Sequence, residues 1–298
     1  MSSSAGERGG LEGTASIFRR VAGVLRAAFG SSDSEVGGRD AAKRSVSRPE
    51  RPDAGGSEGS APGLSLRVLP ERVARALVYI AVSLALLSFV SGLIWFAGIG
   101  PWIRVVNVDH DLSLPSWFSA VLLLFASVLL AAIAYAKRSE ANPRYGRHWA
   151  ALAIIFLFLS CDEMIRFHER MANVLVWPAL DALGIVPAAM LSNPWVLVYG
   201  PLVLVFALAY LRFWLNLPSR VKNLFFAAGA LYVGGALGVE LATAWYNAAD
   251  SDFGVFMTTH LEELMEMLGA VVFVYALMTY MVTHQRLGSL HIRLVSRK

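Results

Sequence analysis

The sequence predicts an all-α fold: a polytopic integral membrane helix bundle with about six transmembrane helices and both termini cytoplasmic. Three observations predict it. With 56% hydrophobic residues, 16% charged residues and a mean hydropathy of +0.54, the chain is too apolar for a soluble globule of 298 residues. Its apolar residues fall in blocks of about twenty, the length a helix needs to cross the hydrocarbon core of a bilayer, and not in the alternating strands of about ten that build an outer-membrane barrel. Arginine and lysine collect in alternate loops, as an even number of crossings requires.

The domain division follows composition. Residues 1–70 form a tail rich in Ser, Gly, Pro and Arg, a composition that buries too little surface to order itself. Within it, residues 14–30 carry Ile17, Phe18, Val21, Val24, Leu25, Ala28 and Phe29 at helical spacing opposite Arg19, Arg20 and Arg26. That is the pattern of a basic amphipathic helix suited to an anionic leaflet. Residues 71–285 hold the six-helix transmembrane domain, and 286–298 form a basic cytoplasmic tail.

The spans are expected at 75–99, 116–136, 147–171, 195–216, 222–247 and 259–283. Between the third and fourth, Val174–Leu191 is apolar but interrupted by Pro178, Gly184 and Pro187, which suits a short interfacial or re-entrant piece. Pro194 marks the start of the fourth span, and Pro201 is a site for a kink within it. The fifth span carries Ala230, Gly234, Gly238 and Ala242 every fourth residue, a small-residue ladder for close packing.

Loop charge sets the orientation. Arg67, Arg72 and Arg75 precede the first span; Lys137, Arg138, Arg144 and Arg147 fill the second loop; Arg212, Arg220 and Lys222 the fourth; Arg286, Arg293, Arg297 and Lys298 the C-terminus. The first loop instead holds Asp109, His110 and Asp111, expected to be solvated, and the fifth holds Asp250 and Asp252. Both termini therefore face the cytoplasm, in the plasma (inner) membrane. The net charge of +4 and pI of 9.3 reflect this loop bias and give no support to nucleic-acid binding. A single cysteine, Cys161, excludes an intrachain disulfide and a thiolate metal cage.

The chemistry-bearing residues lie in the spans. The third ends with Asp162, Glu163, Arg166, His168, Glu169 and Arg170; the fifth contains Glu240; the sixth opens with His260, Glu262, Glu263 and Glu266. Running the three helices in the directions set by loop charge brings all of these to the outer half of the membrane. Within the third span Arg166 lies four residues after Asp162 and three before Glu169, and Arg170 lies one helical repeat beyond Glu163, so that span can neutralise itself, whereas Glu240, Glu263 and Glu266 have no local arginine. Ionisable residues at such a depth are costly, which makes them candidates for function.

Carboxylates with imidazoles suit a divalent metal such as iron, manganese or zinc. The metal-ligand candidates are Asp162, His168, Glu240, His260, Glu263 and Glu266, and the candidate general bases are Glu163 and Glu169. Glu262 is expected to face interfacial water. The reading that follows is a metal-dependent enzyme acting on a lipid or membrane-soluble substrate. A proton- or cation-coupled transporter or channel is the first alternative, and a non-catalytic subunit held by a membrane-protein partner the second.

Overall fold

The computed structural model describes residues 65–66, 69–110, 112–138, 144–184, 195–284 and 290–291. The amphipathic segment at 14–30, most of both tails, Asp111, Pro187 and Pro194 lie outside them. The chain divides into two compact units, one of Met1–Arg67 with Ser289–Lys298 and one of Val68–Gly288. In the first, Ser65–Leu66 (β1) pairs antiparallel with Leu290–His291 (β2).

The described residues of the second unit are mainly helical. Its elements are α1 (Pro70–Phe96), α2 (Leu114–Arg138), α3 (Gly146–Ile165), α4 (Phe167–Met171), a π-helical segment (Ala172–Val176), α5 (Trp177–Leu183), α6 (Trp195–Leu215), α7 (Ser219–Val233), a second π-helical segment (Gly234–Val239), α8 (Glu240–Ala248) and α9 (Asp252–His284). Six helices are long and apolar enough to cross a membrane, α7 to α8 counting as one continuous helix over Ser219–Ala248. The protein is a multi-pass integral membrane protein. Side chains such as Leu86, Leu87 and Val90 on α1 and Leu202, Leu204, Val205 and Leu208 on α6 lie exposed, a surface that lipid covers.

Helix ends follow local chemistry. Pro70 opens α1 with Glu71 in the first turn, and Lys137 and Arg138 close α2, each complementing the helix dipole. Pro178 sits in the first turn of α5 and starts that helix, and Gly184 ends it with a left-handed φ of +62°. Ser251 Oγ accepts the Gly254 N–H (3.3 Å), so α9 begins at Asp252, well before the expected 259.

The third span departs from expectation in a way that matters for the site. It stops at Ile165, because Arg166 takes a left-handed conformation (φ 47°) that a helix cannot propagate. The chain restarts as α4, and the predicted continuous helix over 147–171 is two helices meeting at Arg166.

α9 is the axis of the bundle. It packs against α1, α2, α7, α8 and the second π-helical segment, and every residue from Met267 to Tyr280 is buried. A helix apolar on all sides belongs at the centre of its bundle, and α9 is one. Close approach to α7 depends on Gly269, where an added Cβ would lie 2.7 Å from the Tyr232 backbone nitrogen and 3.0 Å from the Ala228 carbonyl oxygen. Gly235 has the same role further along, with Glu262 O at 3.0 Å. The expected ladder is thus corrected. Ala230 and Gly238 are exposed, and the small residues that face α9 are Ala228, Gly234 and Gly235.

Candidate functional site

Asp162 organises the break between α3 and α4. Buried in the last turn of α3, it accepts the His168 backbone N–H on Oδ1 (3.0 Å) and meets His168 Nδ1 with Oδ2 (2.5 Å). One carboxylate thereby caps the new helix and holds the imidazole. Burial works against the His168 imidazolium, but the Asp162 hydrogen bond and charge, with Glu169 and Glu163 adding to them, outweigh it and hold the His168 pKa above its usual value. The ring sits edge-on to Trp195 and Tyr199 of α6.

Arg166, turned out by its left-handed backbone, reaches Glu169 Oε1 at 3.2 Å and Asp109 Oδ1 at 3.7 Å. The Arg166–Glu169 pair is the local neutralisation that the three-residue spacing suggests. One expectation changes: Asp109 engages the end of α3 across the first loop, although its side chain stays 61% exposed.

Beneath this layer lie the glutamates. Glu240 starts α8 directly after the π-helical segment, accepts the Trp195 Nε1–H (3.3 Å) and interacts electrostatically with Glu262 of α9. Glu266 interacts electrostatically with Tyr232 of α7, Glu163 and Glu240. Glu263 interacts with Glu163, Glu266, Arg166 and Asp109. Gly235 makes the arrangement close, since a side chain there would meet Glu266 Cγ at 3.3 Å.

The expected residues thus separate into groups. Electrostatic interactions run from Glu163 of α3 to Glu263 and Glu266 of α9, and from Glu266 to Glu240 of α8, while Asp162, His168 and Glu169 stand where α3 gives way to α4. His260 does not join them. Its Nε2 meets Ser88 Oγ of α1 (3.0 Å) and its Nδ1 meets the Phe256 carbonyl oxygen (2.8 Å), inside a cage of Phe89, Trp102 and Phe256. Ser88 Oγ also accepts the Val108 N–H (3.1 Å), so His260 ties α1, the first loop and α9 together. The carbonyl at Nδ1 makes that nitrogen the donor, so Nε2 accepts the Ser88 hydroxyl.

Sequence reasoning missed Glu262, Tyr232, Trp195 and the reach of Arg166 to Glu263. Only Glu262 carried a signal, its position one turn before Glu266. As the side chains stand, no three His, Cys, Asp or Glu among the described residues are arranged to hold a metal ion.

The model of a family described as a domain of unknown function (DUF8692) matches residues 73–281, well over half of the chain. The chain belongs to the DUF8692 family. The match runs from the first turn of α1 to the last turn of α9, so every residue of the site lies within the DUF8692 domain. No curated protein and no solved structure matches the chain.

Proposed function

We propose that the glutamate pocket between α3, α7–α8 and α9 takes up a divalent metal ion in exchange for protons and serves a reaction on a lipid or other membrane-soluble substrate. The observation that supports it is the gathering of Glu163, Glu240, Glu262, Glu263 and Glu266 from three helices, with Arg166 the cation acting on Glu163 and Glu263. So many carboxyls in a low-dielectric layer repel one another unless protons or a cation join them. A metal would displace protons from these carboxyls while swinging the side chains into coordination. Glu240, Glu263 and Glu266 are the ligands, with Glu163 the general base to a bound water. Asp162, His168 and Glu169 form the rim. We place this rim in the outer half of the membrane, with both termini cytoplasmic, on the charge of the loops.

Elemental analysis of the protein purified in neutral detergent, with and without added manganese, zinc or iron(II), tests the reading. The expected result is about one to two metal ions per chain, in line with known carboxylate sites, lost in an E263Q/E266Q double variant and retained in H260Q. A protein that takes up no metal when offered it, and whose melting ignores chelator, overturns it.

The electrostatic interactions of Glu262 with Glu240, Glu266 and Glu263 also favour a second reading, a carboxyl network coupling proton exchange to transport. The fully buried stretch Met267–Tyr280 argues against an open channel through the other half. Proton flux in reconstituted vesicles that is lost in E266Q, without metal uptake, distinguishes this reading from the first.

A further inference from the structure

α6 is fastened to the bundle at its two ends. At the glutamate end Trp195 donates to Glu240, and the Trp195 and Tyr199 rings stand edge-on to His168. At the other end buried Phe213 stacks on His148 (5.7 Å) and meets Trp149 edge-on (4.9 Å), while Tyr210 Oη donates to the His148 carbonyl oxygen (3.3 Å). Between Val196 and Phe213 no residue of α6 is buried. That holds even for Tyr199, Val203, Phe206 and Tyr210, which by helical spacing share the face that carries these contacts. An added Cβ at Gly200 would meet nothing within 4 Å.

The helices opposite keep one register. Trp149, Phe156 and Glu163 of α3 are two turns apart, as are Tyr280, Phe273 and Glu266 of α9, and Phe225 and Tyr232 of α7. They match level by level. Trp149 meets Tyr280 (4.9 Å), Phe273 meets both Phe156 (4.5 Å) and Phe225 (4.8 Å), and Glu163 and Tyr232 each interact with Glu266. α6 supplies a row of its own at the same spacing, Phe213, Phe206 and Tyr199, running the other way. Phe213 closes the Trp149 level and Tyr199 reaches His168, but among the described residues the Phe206 ring meets only Tyr210 of its own helix (4.5 Å). At the middle level α6 therefore stands off from the aromatic layer of Phe156, Phe225 and Phe273, of which Phe156 and Phe225 are half-buried.

The result is an apolar seam that begins at the glutamates and ends where Phe213 meets Trp149. From Glu163 to Trp149 it runs about four turns of α3, about 21 Å. A lipid chain fills one leaflet, about 15 Å or half of the hydrocarbon core, so the seam is long enough for a whole chain. In a multi-pass membrane protein the medium beside it is hydrocarbon, and apolar space in proteins stays dry and takes apolar guests.

We propose that this seam takes the hydrocarbon chain of a bilayer lipid, whose polar end then lies at the glutamates. The proposal rests on the reading of the glutamate pocket as a substrate site, and it names the class of substrate: a long-chain amphiphile that enters sideways from the membrane between α6 and the bundle.

The test uses the full chain in dioleoyl phosphatidylcholine vesicles, with chelator present, and a phosphatidylcholine whose palmitoyl chain carries a diazirine. After illumination, labelled positions are read by mass spectrometry as the mole fraction of probe rises. Labelling at Phe156, Phe206 and Phe225 should saturate, whereas labelling at the exposed Leu204 and Leu208 should rise in proportion to the probe. V203W fills the seam and should cut labelling at Phe156 and Phe225 about tenfold, and L204W, on the outward face, should leave it unchanged. The saturation measurement needs no variant, so the proposal stays refutable if V203W is unstable. Saturable labelling in a protein that takes up no metal upholds the seam and refutes the metal reading; metal uptake with labelling that never saturates refutes the seam alone. Labelling at Phe156 and Phe225 that follows Leu204 in proportion, or that is unchanged in a folded V203W, overturns the proposal.

Discussion

Gly269→Ala tests how closely α7 must approach α9. The added Cβ would fall 2.7 Å from the Tyr232 nitrogen, 2.9 Å from Tyr232 Cβ and 3.0 Å from the Ala228 oxygen. All three belong to the backbone of α7 or are fixed to it, so no rotamer change relieves them and the helices must part. Overpacking of this kind costs about 1–3 kcal/mol. Replacing a helical glycine returns about 1 kcal/mol of helix propensity, so the variant should lose up to about 2 kcal/mol. Gly229→Ala on α7 is the control, because nothing lies within 4 Å of its Cβ. It receives the propensity gain alone, and the difference between the two variants isolates the steric term at about 1–3 kcal/mol. Reversible unfolding in mixed dodecyl sulfate micelles measures both. If Gly269→Ala is as stable as Gly229→Ala, α7 and α9 do not meet at this distance.

The remaining predictions concern single polar groups. Ser88→Ala removes the hydroxyl that joins His260 Nε2 and the Val108 N–H, both buried, and should cost about 1–3 kcal/mol in the same unfolding assay. His260→Gln should lower stability while leaving metal content unchanged, and loss of metal in that variant would return His260 to the ligand set. His168→Gln should show a pH-dependent deficit. His168 holds its proton more tightly in the folded protein, so its contribution is complete below the unfolded value of about 6.5 and disappears as pH rises through the higher folded value. Wild type should therefore exceed His168→Gln in melting temperature by most at acid pH, with the gap closing towards alkaline pH. A gap that widens on the alkaline side contradicts the Asp162–His168 pairing.

The six crossings were legible because hydropathy integrates over about twenty residues and tolerates local irregularity. Local irregularity is what the same reading could not see. Arg166 adopts a left-handed conformation without being glycine, and Asp162 and Arg166 at four-residue spacing look like one helix neutralising itself. The π-helical turn at 234–239 carries no composition signal, yet it sits directly before Glu240, which meets Glu262, a residue read as facing water.

The larger difference lies in how the stretch His260–Glu266 is used. Crowded on one helix, these residues read as a single wall of a single pocket. α9, however, is surrounded, and residues on different sides of a central helix go to different neighbours. His260 goes to Ser88 of α1, Glu263 to Glu163 of α3, Glu262 to Glu240 of α8, and Glu266 to both Tyr232 and Glu163. The position that hydropathy cannot supply, at the centre or at the edge of the bundle, is what separates the structural histidine from the glutamates beside it. Glu266 acts on both Glu163 of α3 and Tyr232 of α7, as Glu263 does, so loss of the two together should uncouple the two halves of the pocket.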